Sequence, residues 1–305
     1  MALDLSAIYE RALGSYLGLA LGDALGATVE FLPRAEIAKR YGVHRQIIGG
    51  GWLDLPAGAV TDDTEMSLAL GEAIIARAGF EPRAAAERFA AWLRGGPRDC
   101  GHTCRRGIRR FLLDGSVSGA PNAGDGGNGA VMRNLPLVLA TLGDPSAFEA
   151  QTLAQCHITH HHPYSDGAAL ALGRMAGALI LGEGPAQVEA HARLLRGTHS
   201  VFDYAGYDGP AGAYVVETVC TVLRHFFDTQ DFESCLVATV NRGDDADTTG
   251  ALAGMLAGAR GGRSGLPERW VRRLDPAVRA TIERQTRGLL ALSPMFSMHG
   301  GQAVR

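Results

Sequence analysis

Apolar residues recur along this chain at helical intervals. Leu5, Ile8, Ala12, Tyr16 and Leu19 share roughly one face of a first helix that Asp4 can cap. The same spacing predicts helices over residues 65–78, 82–93, 103–113, 135–142, 147–156, 166–181 and 185–195. It continues over 212–227, 231–242, 250–259, 267–272 and 276–291. Alternating patterns are scarce, and Gln46-Ile47-Ile48 beside three glycines is a weak strand candidate. The chain therefore reads as all-α, a single multi-helix domain over residues 1–305, with 121–129 and 198–210 as its loops.

Glycine interrupts this pattern in an ordered way. Gly14, Gly18, Gly22 and Gly26 recur every fourth residue in the first helix, and Gly250, Gly254 and Gly258 do so near the other end of the chain. Each helix-interior glycine costs ~1 kcal/mol relative to alanine. A compositional bias towards glycine could give such spacing. The physical alternative is that a face without side chains lets another backbone approach closely. On that reading the two helices pack centrally and hold the polar loops next to them at one end of the bundle.

Composition narrows the partners. Hydrophobic residues make up 46% of the chain and aromatic ones 7%, so the core is built from small aliphatic side chains that suit closely packed helices. The net charge of -3 gives no reason to expect nucleic acid or an anionic membrane surface. Arg105-Arg106 and Arg109-Arg110 read as a solvated helix face. The residues from Met1 to Ser6 lack a secretory signature, and no apolar run reaches the ~20 residues of a bilayer span. Cys100, His102 and Cys104 suggest zinc but lack a fourth ligand, and reduced thiols in a cytoplasmic protein are expected.

The chemistry concentrates in two acidic runs about 180 residues apart, Thr61-Asp62-Asp63-Thr64 and Asp244-Asp245-Ala246-Asp247-Thr248-Thr249, each leading into a predicted helix. A capping box of Asp62 with Glu65 explains one carboxylate, not two neighbouring ones between threonines. Clustered like charges beside apolar helices oppose one another's ionisation, and a divalent cation relieves that cost. Converging runs would offer oxygen donors only, which favours Mg2+ or Mn2+ over zinc.

With these runs, four further segments complete a pattern: 22–30 (Gly-Asp-Ala-Leu-Gly-Ala-Thr-Val-Glu), 127–133 (Gly-Asn-Gly-Ala-Val-Met-Arg), 158–160 (Ile-Thr-His) and 212–218 (Gly-Ala-Tyr-Val-Val-Glu-Thr). In composition and order the set resembles the ADP-ribosylglycohydrolases, over residues from about 11 to 260. The motifs are closest to the bacterial branch that removes ADP-ribose from an arginine of the nitrogenase iron protein. The resemblance implies an all-α fold with two divalent cations, Mn2+ or Mg2+, held by Thr61, Asp62, Asp63, Asp245, Asp247 and Thr248. Asp244 is expected outside that set, satisfying backbone amides.

Glu30 matches the family's glutamate near the metals and is a candidate acid/base or gate. Asp62 and Asp99 are further catalytic candidates, Asp99 being otherwise an exposed loop acid. Substrate-binding roles follow for Gly127, Asn128 and Gly129, whose backbone N–H groups can meet phosphate or ribose oxygens, for Met132, and for Arg133 as added charge. His160 would line the substrate. His161 and His162 could instead be a surface tract with adventitious metal affinity. Tyr214 would offer an aromatic face, or be a buried helix residue.

The implied activity is hydrolysis of the bond between ADP-ribose and a protein arginine. Another ADP-ribosyl linkage (serine or O-acetyl-ADP-ribose), a two-metal phosphoesterase and a non-catalytic ADP-ribose-binding module are the rivals. The resemblance also implies a PII-type signalling partner and, through a partner, peripheral membrane association; a monomer is expected.

Overall fold

The computed structural model describes residues 4–297, and within them the chain forms helices and no strand. They are α1 (Leu5–Gly26), α2 (Arg34–Tyr41), α3 (Asp62–Arg77), α4 (Pro82–Arg94), α5 (His102–Asp114), α6 (Leu135–Ala140), α7 (Pro145–Cys156) and α8 (Pro163–Leu181). Then follow α9 (Pro185–Thr198), α10 (Val215–Asp228), α11 (Phe232–Val240), α12 (Ala246–Gly261), α13 (Glu268–Arg273), α14 (Pro276–Leu292) and α15 (Pro294–Ser297). Asp4 caps α1 as expected, accepting from the Ala7 N–H at 3.0 Å.

At the centre lies the antiparallel pair α1 and α12, buried along nearly its whole length. A Cβ placed on Gly18 would stand 2.2 Å from the Gly254 carbonyl oxygen, and one on Gly22 1.9 Å from that of Gly250. Gly14 faces Gly258 and Gly26 faces Ala246 in the same way. The two glycine rows are thus one backbone-to-backbone seam. Ser15 donates across it to the Met255 carbonyl (2.9 Å), and Tyr16 donates to Gln285 of α14 (2.9 Å), so the few polar groups on α1 are satisfied inside the core.

This seam fixes the site. Because α1 and α12 run antiparallel and face each other residue by residue, the C-terminal end of α1 meets the N-terminal end of α12. The N-terminus of α3 joins them: Asp23, in the last turn of α1, accepts from the backbone N–H groups of Thr61 (3.0 Å) and Thr64 (3.2 Å) and from the Thr64 hydroxyl (2.5 Å).

Three sequence expectations need correction. The acidic runs do not precede their helices but enter them: α3 starts at Asp62 and α12 at Ala246, and Asp62 is not a capping residue. Gln46 to Ile48 form no strand; that stretch lies in a loop whose Gly49, Gly50 and Gly51 all take positive φ, with one isolated bridge between Gly50 and Leu55. Helix α2 was not foreseen, because it buries only Ile37 and so carries almost no apolar period.

Candidate active site

The helix ends surround a cleft of about 390 Å3. Glu30, Asp62, Asp99, Asp245, Asp247 and Thr248 line it, together with Gly127, Asn128, Gly129, Met132 and His160. Thr61 and Asp63 are buried just behind this lining. Phe31 and Trp52 stand at the mouth, both more than half exposed, with ring centroids 5.3 Å apart.

The two acidic runs do converge. The Thr61 hydroxyl lies 3.2 Å from Asp247 Oδ2 and 3.4 Å from Asp63 Oδ2, and the Thr248 hydroxyl donates to Asp63 Oδ2 at 3.1 Å. Asp62 accepts from the Gly101 N–H (3.2 Å), and Asp245 from the Asn128 side chain (2.5 Å). Oxygens of Glu30, Asp245 and Asp247 all lie within 4.8 Å of one another. Asp244 turns aside, with φ +53°, and accepts from the Ala211 N–H (3.1 Å).

Electrostatics make this cluster costly. Burial first, and the neighbouring charge of Asp247 second, push Glu30 up to about 10 and Asp23 up to about 8. Asp63 rises well above the carboxylate range for the same two reasons, and Asp247 by burial and then by Asp245. Asp62 rises through burial and then the charge of Asp99. Asp245 is pushed up only to about 6, because the Asn128 hydrogen bond offsets part of its burial. Among the described residues no ion pair involves any of these acids. Moreover, Asp63 Oδ1 is buried without a hydrogen-bond partner. An oxygen-only cluster with one orphaned carboxylate oxygen and no cationic side chain fits hard divalent cations.

The remaining wall is built by packing. Backbone pairing of Gly127 with Tyr214, and of Asn128 N–H with the Ala213 carbonyl (3.1 Å), ties the glycine-rich loop to the start of α10. A Cβ on Gly129 would lie 2.6 Å from Cys104 Sγ, so the loop approaches α5 as only glycine allows. Arg133 does not face the cleft. Its guanidinium is fully buried, 4.5 Å above the Phe89 ring, and donates to Gln155 Oε1 (2.9 Å) and to the Thr159 hydroxyl (2.7 Å). A hydroxyl that accepts from Arg133 has its own proton free for His160 Nδ1, 2.8 Å away, which leaves Nε2–H towards the cleft. Burial, then Arg133 and Arg106, hold His160 well below the usual histidine range, hence neutral. Arg133 thus orients a histidine from beneath rather than meeting an anion.

Other expectations resolve individually. Tyr214 is not a buried helix residue; it precedes α10, is 45% exposed and lays its ring against Gly126, outside the cleft lining. His161 and His162 are partly buried and each has a structural partner: His161 stacks on His157 (3.6 Å) and bonds the Gly119 carbonyl, while His162 caps α8. All five cysteines are free and buried, and Cys100, His102 and Cys104 do not group as metal ligands among the described residues.

Sequence reasoning missed three contributions. Asp23 anchors the turn that presents Thr61 to Thr64. Trp52 donates its indole N–H to Glu30 Oε2 at 2.6 Å. Asn128 bridges Asp245 to Thr218, 2.9 Å away. Asp23 carries a signal, as a carboxylate in a largely apolar, glycine-rich helix; the sequence marks Asn128 for its backbone N–H and not for this side-chain bridge, and Trp52 carries none.

Fold and cleft together define an all-α protein with an oxygen-only site suited to divalent cations. The chain belongs to the ADP-ribosylglycohydrolase family, whose sequence profile matches residues 4–296. It is 52% identical over 286 residues to the ADP-ribosyl-[dinitrogen reductase] glycohydrolase of Rhodospirillum rubrum, covering 94% of this chain and 97% of that one. It is 30% identical to the ADP-ribosylarginine hydrolase Tri1 of Pseudomonas putida, over 87% of this chain and 74% of the relative. Among solved structures, one described as an ADP-ribosylglycohydrolase-related protein complex superposes with a TM-score of 0.85 at 32% identity, over 94% of this chain and 99% of the other.

Proposed function

We propose that this protein hydrolyses the N-glycosidic bond between ADP-ribose and an arginine side chain, with ADP-ribosylated dinitrogenase reductase, the nitrogenase iron protein, as substrate. The observation that carries the reading is the convergence of α3 and α12 carboxylates on one cleft, in a chain so similar to glycohydrolases of this linkage. Thr61, Asp62, Asp63, Asp245, Asp247 and Thr248 would hold two divalent cations, Mn2+ or Mg2+, with Glu30 at the edge of the set. Bound there, such cations supply positive charge that offsets the carboxylates and attracts the ribose hydroxyls.

The chain's own residues divide the remaining work. Asn128 and the Gly101 N–H fix Asp245 and Asp62, so the negative charge is preorganised beside an oxocarbenium-like transition state. Glu30 Oε2 accepts from Trp52, which leaves Oε1 as the atom that holds or passes a proton. With the guanidine as leaving group, Glu30 or Asp99 delivers the proton the departing nitrogen needs. His160 Nε2–H and the Gly127–Gly129 loop receive ribose or phosphate oxygens. Among the described residues no helix is long and apolar enough to cross a membrane. A PII-type partner, with peripheral membrane association through it, belongs to the same reading and rests on the resemblance alone.

The test is release of labelled ADP-ribose from an ADP-ribosyl-arginine protein, with and without Mn2+, for wild type and Asp63→Ala. We expect metal-dependent release by wild type and a loss of about a hundredfold or more in the variant. Equal activity after chelation, or in Asp63→Ala, contradicts the assignment.

A further inference from the structure

We propose that the outward face of α5 is the docking surface for an acidic segment of the protein that carries the ADP-ribose. This deepens the functional reading above and rests on it. His102, Arg105, Arg106, Arg109 and Leu113 recur at intervals of three and four residues, so they form one stripe along the helix. All five are exposed, Leu113 to 87%. The opposite face, Cys104, Gly107, Ile108 and Phe111, is buried. Gly107 packs so closely that a Cβ there would lie 2.6 Å from the Thr159 backbone, next to His160. The stripe is therefore carried on an element fixed to the wall of the cleft.

The charge on this stripe is unusually free. Arg109 makes no ion pair or side-chain hydrogen bond among the described residues, and Arg105 reaches Cys100, at its carbonyl (3.5 Å) and its thiol, but no acid. Arg106 is tied to Asp125, and Arg110 to the Ile158 carbonyl. The side chains border a groove of about 400 Å3 in which the one acid, Asp114, is held by its own turn through Ser116. A chain with a net charge of -3 thus presents a local cationic strip.

Position identifies the occupant. His102 lines both this groove and the catalytic cleft, so the strip begins at the cleft rim. From His102 to Leu113 the helix advances ~16 Å, which carries the strip well beyond ADP-ribose seated among the cleft carboxylates. A modified arginine can enter the cleft only if the protein around it covers the rim. The face that lies on α5 then meets arginines and one exposed leucine, and complementary chemistry is a run of acidic side chains. Exposed charges of this kind act mainly on encounter and are screened over ~8 Å at physiological salt.

The experiment compares kcat/KM on ADP-ribosylated dinitrogenase reductase with kcat/KM on free ADP-ribosyl-arginine, for wild type, Arg109→Glu and Arg105→Glu/Arg109→Glu, at low and high salt. Expected is a loss of about tenfold or more on the protein substrate, mostly in KM, with the small substrate unchanged and the salt dependence flattened. Unchanged kinetics on the protein substrate overturn the docking surface. Equal losses on both substrates also overturn it, assigning the arginines to nucleotide contact or to folding, which thermal melting separates. A wild type inert on both substrates overturns the functional reading instead, and this inference with it.

Discussion

Glu30 shows how far a single side chain depends on its surroundings here. It is only 3% exposed, shares the acidic cluster with Asp245 and Asp247, and takes a hydrogen bond from Trp52. Glu30→Gln keeps the shape and the Trp52 contact but removes the titrating group. We predict ADP-ribose binding close to wild type by calorimetry, with turnover lowered about 10^2- to 10^4-fold, the usual range for losing an acid/base group. Unchanged turnover would make Glu30 structural and leave proton delivery to Asp99. At this scale the sequence was partly legible. Asp62, Asp63, Asp245 and Asp247 announce themselves because adjacent carboxylates beside apolar helices need a reason. Trp52 does not, because its bond to Glu30 depends on how the loop after α2 folds back. Arg133 misleads for the same reason: a cation in a glycine-rich motif looks like an anion ligand until its burial over Phe89 is seen.

Among the elements, the α1–α12 seam carries the argument. On an open helix surface Gly→Ala is stabilising, by up to ~1 kcal/mol. At Gly22 the added methyl would meet the Gly250 carbonyl at 1.9 Å, so the sign reverses and overpacking costs about 1–3 kcal/mol or more. Gly197, in α9 with nothing within 4 Å of its missing Cβ, is the control. Thermal or denaturant melting is therefore predicted to show Gly22→Ala less stable than wild type and Gly197→Ala equal or more stable. Similar stability for the two variants would mean that the seam is not close-packed. The seam was legible because a four-residue glycine period has few physical explanations. Where α3 and α12 begin was not: like charges argue against folding acids into a helix, yet two helix N-termini are places where carboxylates are tolerated, facing the positive ends of the helix dipoles. Helix α2 stayed hidden for lack of an apolar face.

On the scale of the whole molecule, the fold spends its most buried elements on holding like charges together. Asp23 of α1, Asp62 and Asp63 of α3, and Asp247 of α12 are all buried at one end of the core, far apart in sequence. Burial and mutual repulsion raise their affinities for protons, so in the metal-free protein they keep protons to a higher pH than free carboxylates do. A cation must displace those protons, and its binding therefore weakens as pH falls and strengthens as pH rises. Asp245, pushed up to about 6, and Glu30, to about 10, place this competition between mildly acidic and alkaline solution. Calorimetric titration of the metal-free protein with Mn2+, in buffers of different ionisation enthalpy at about pH 6 and about pH 8, reads site number, affinity and proton release together. The account predicts two Mn2+ per chain, net proton release that is larger at the lower pH, tighter binding at the higher, and loss of binding in Asp247→Ala. Absence of Mn2+ binding, or binding that releases no protons and survives Asp247→Ala, would contradict it.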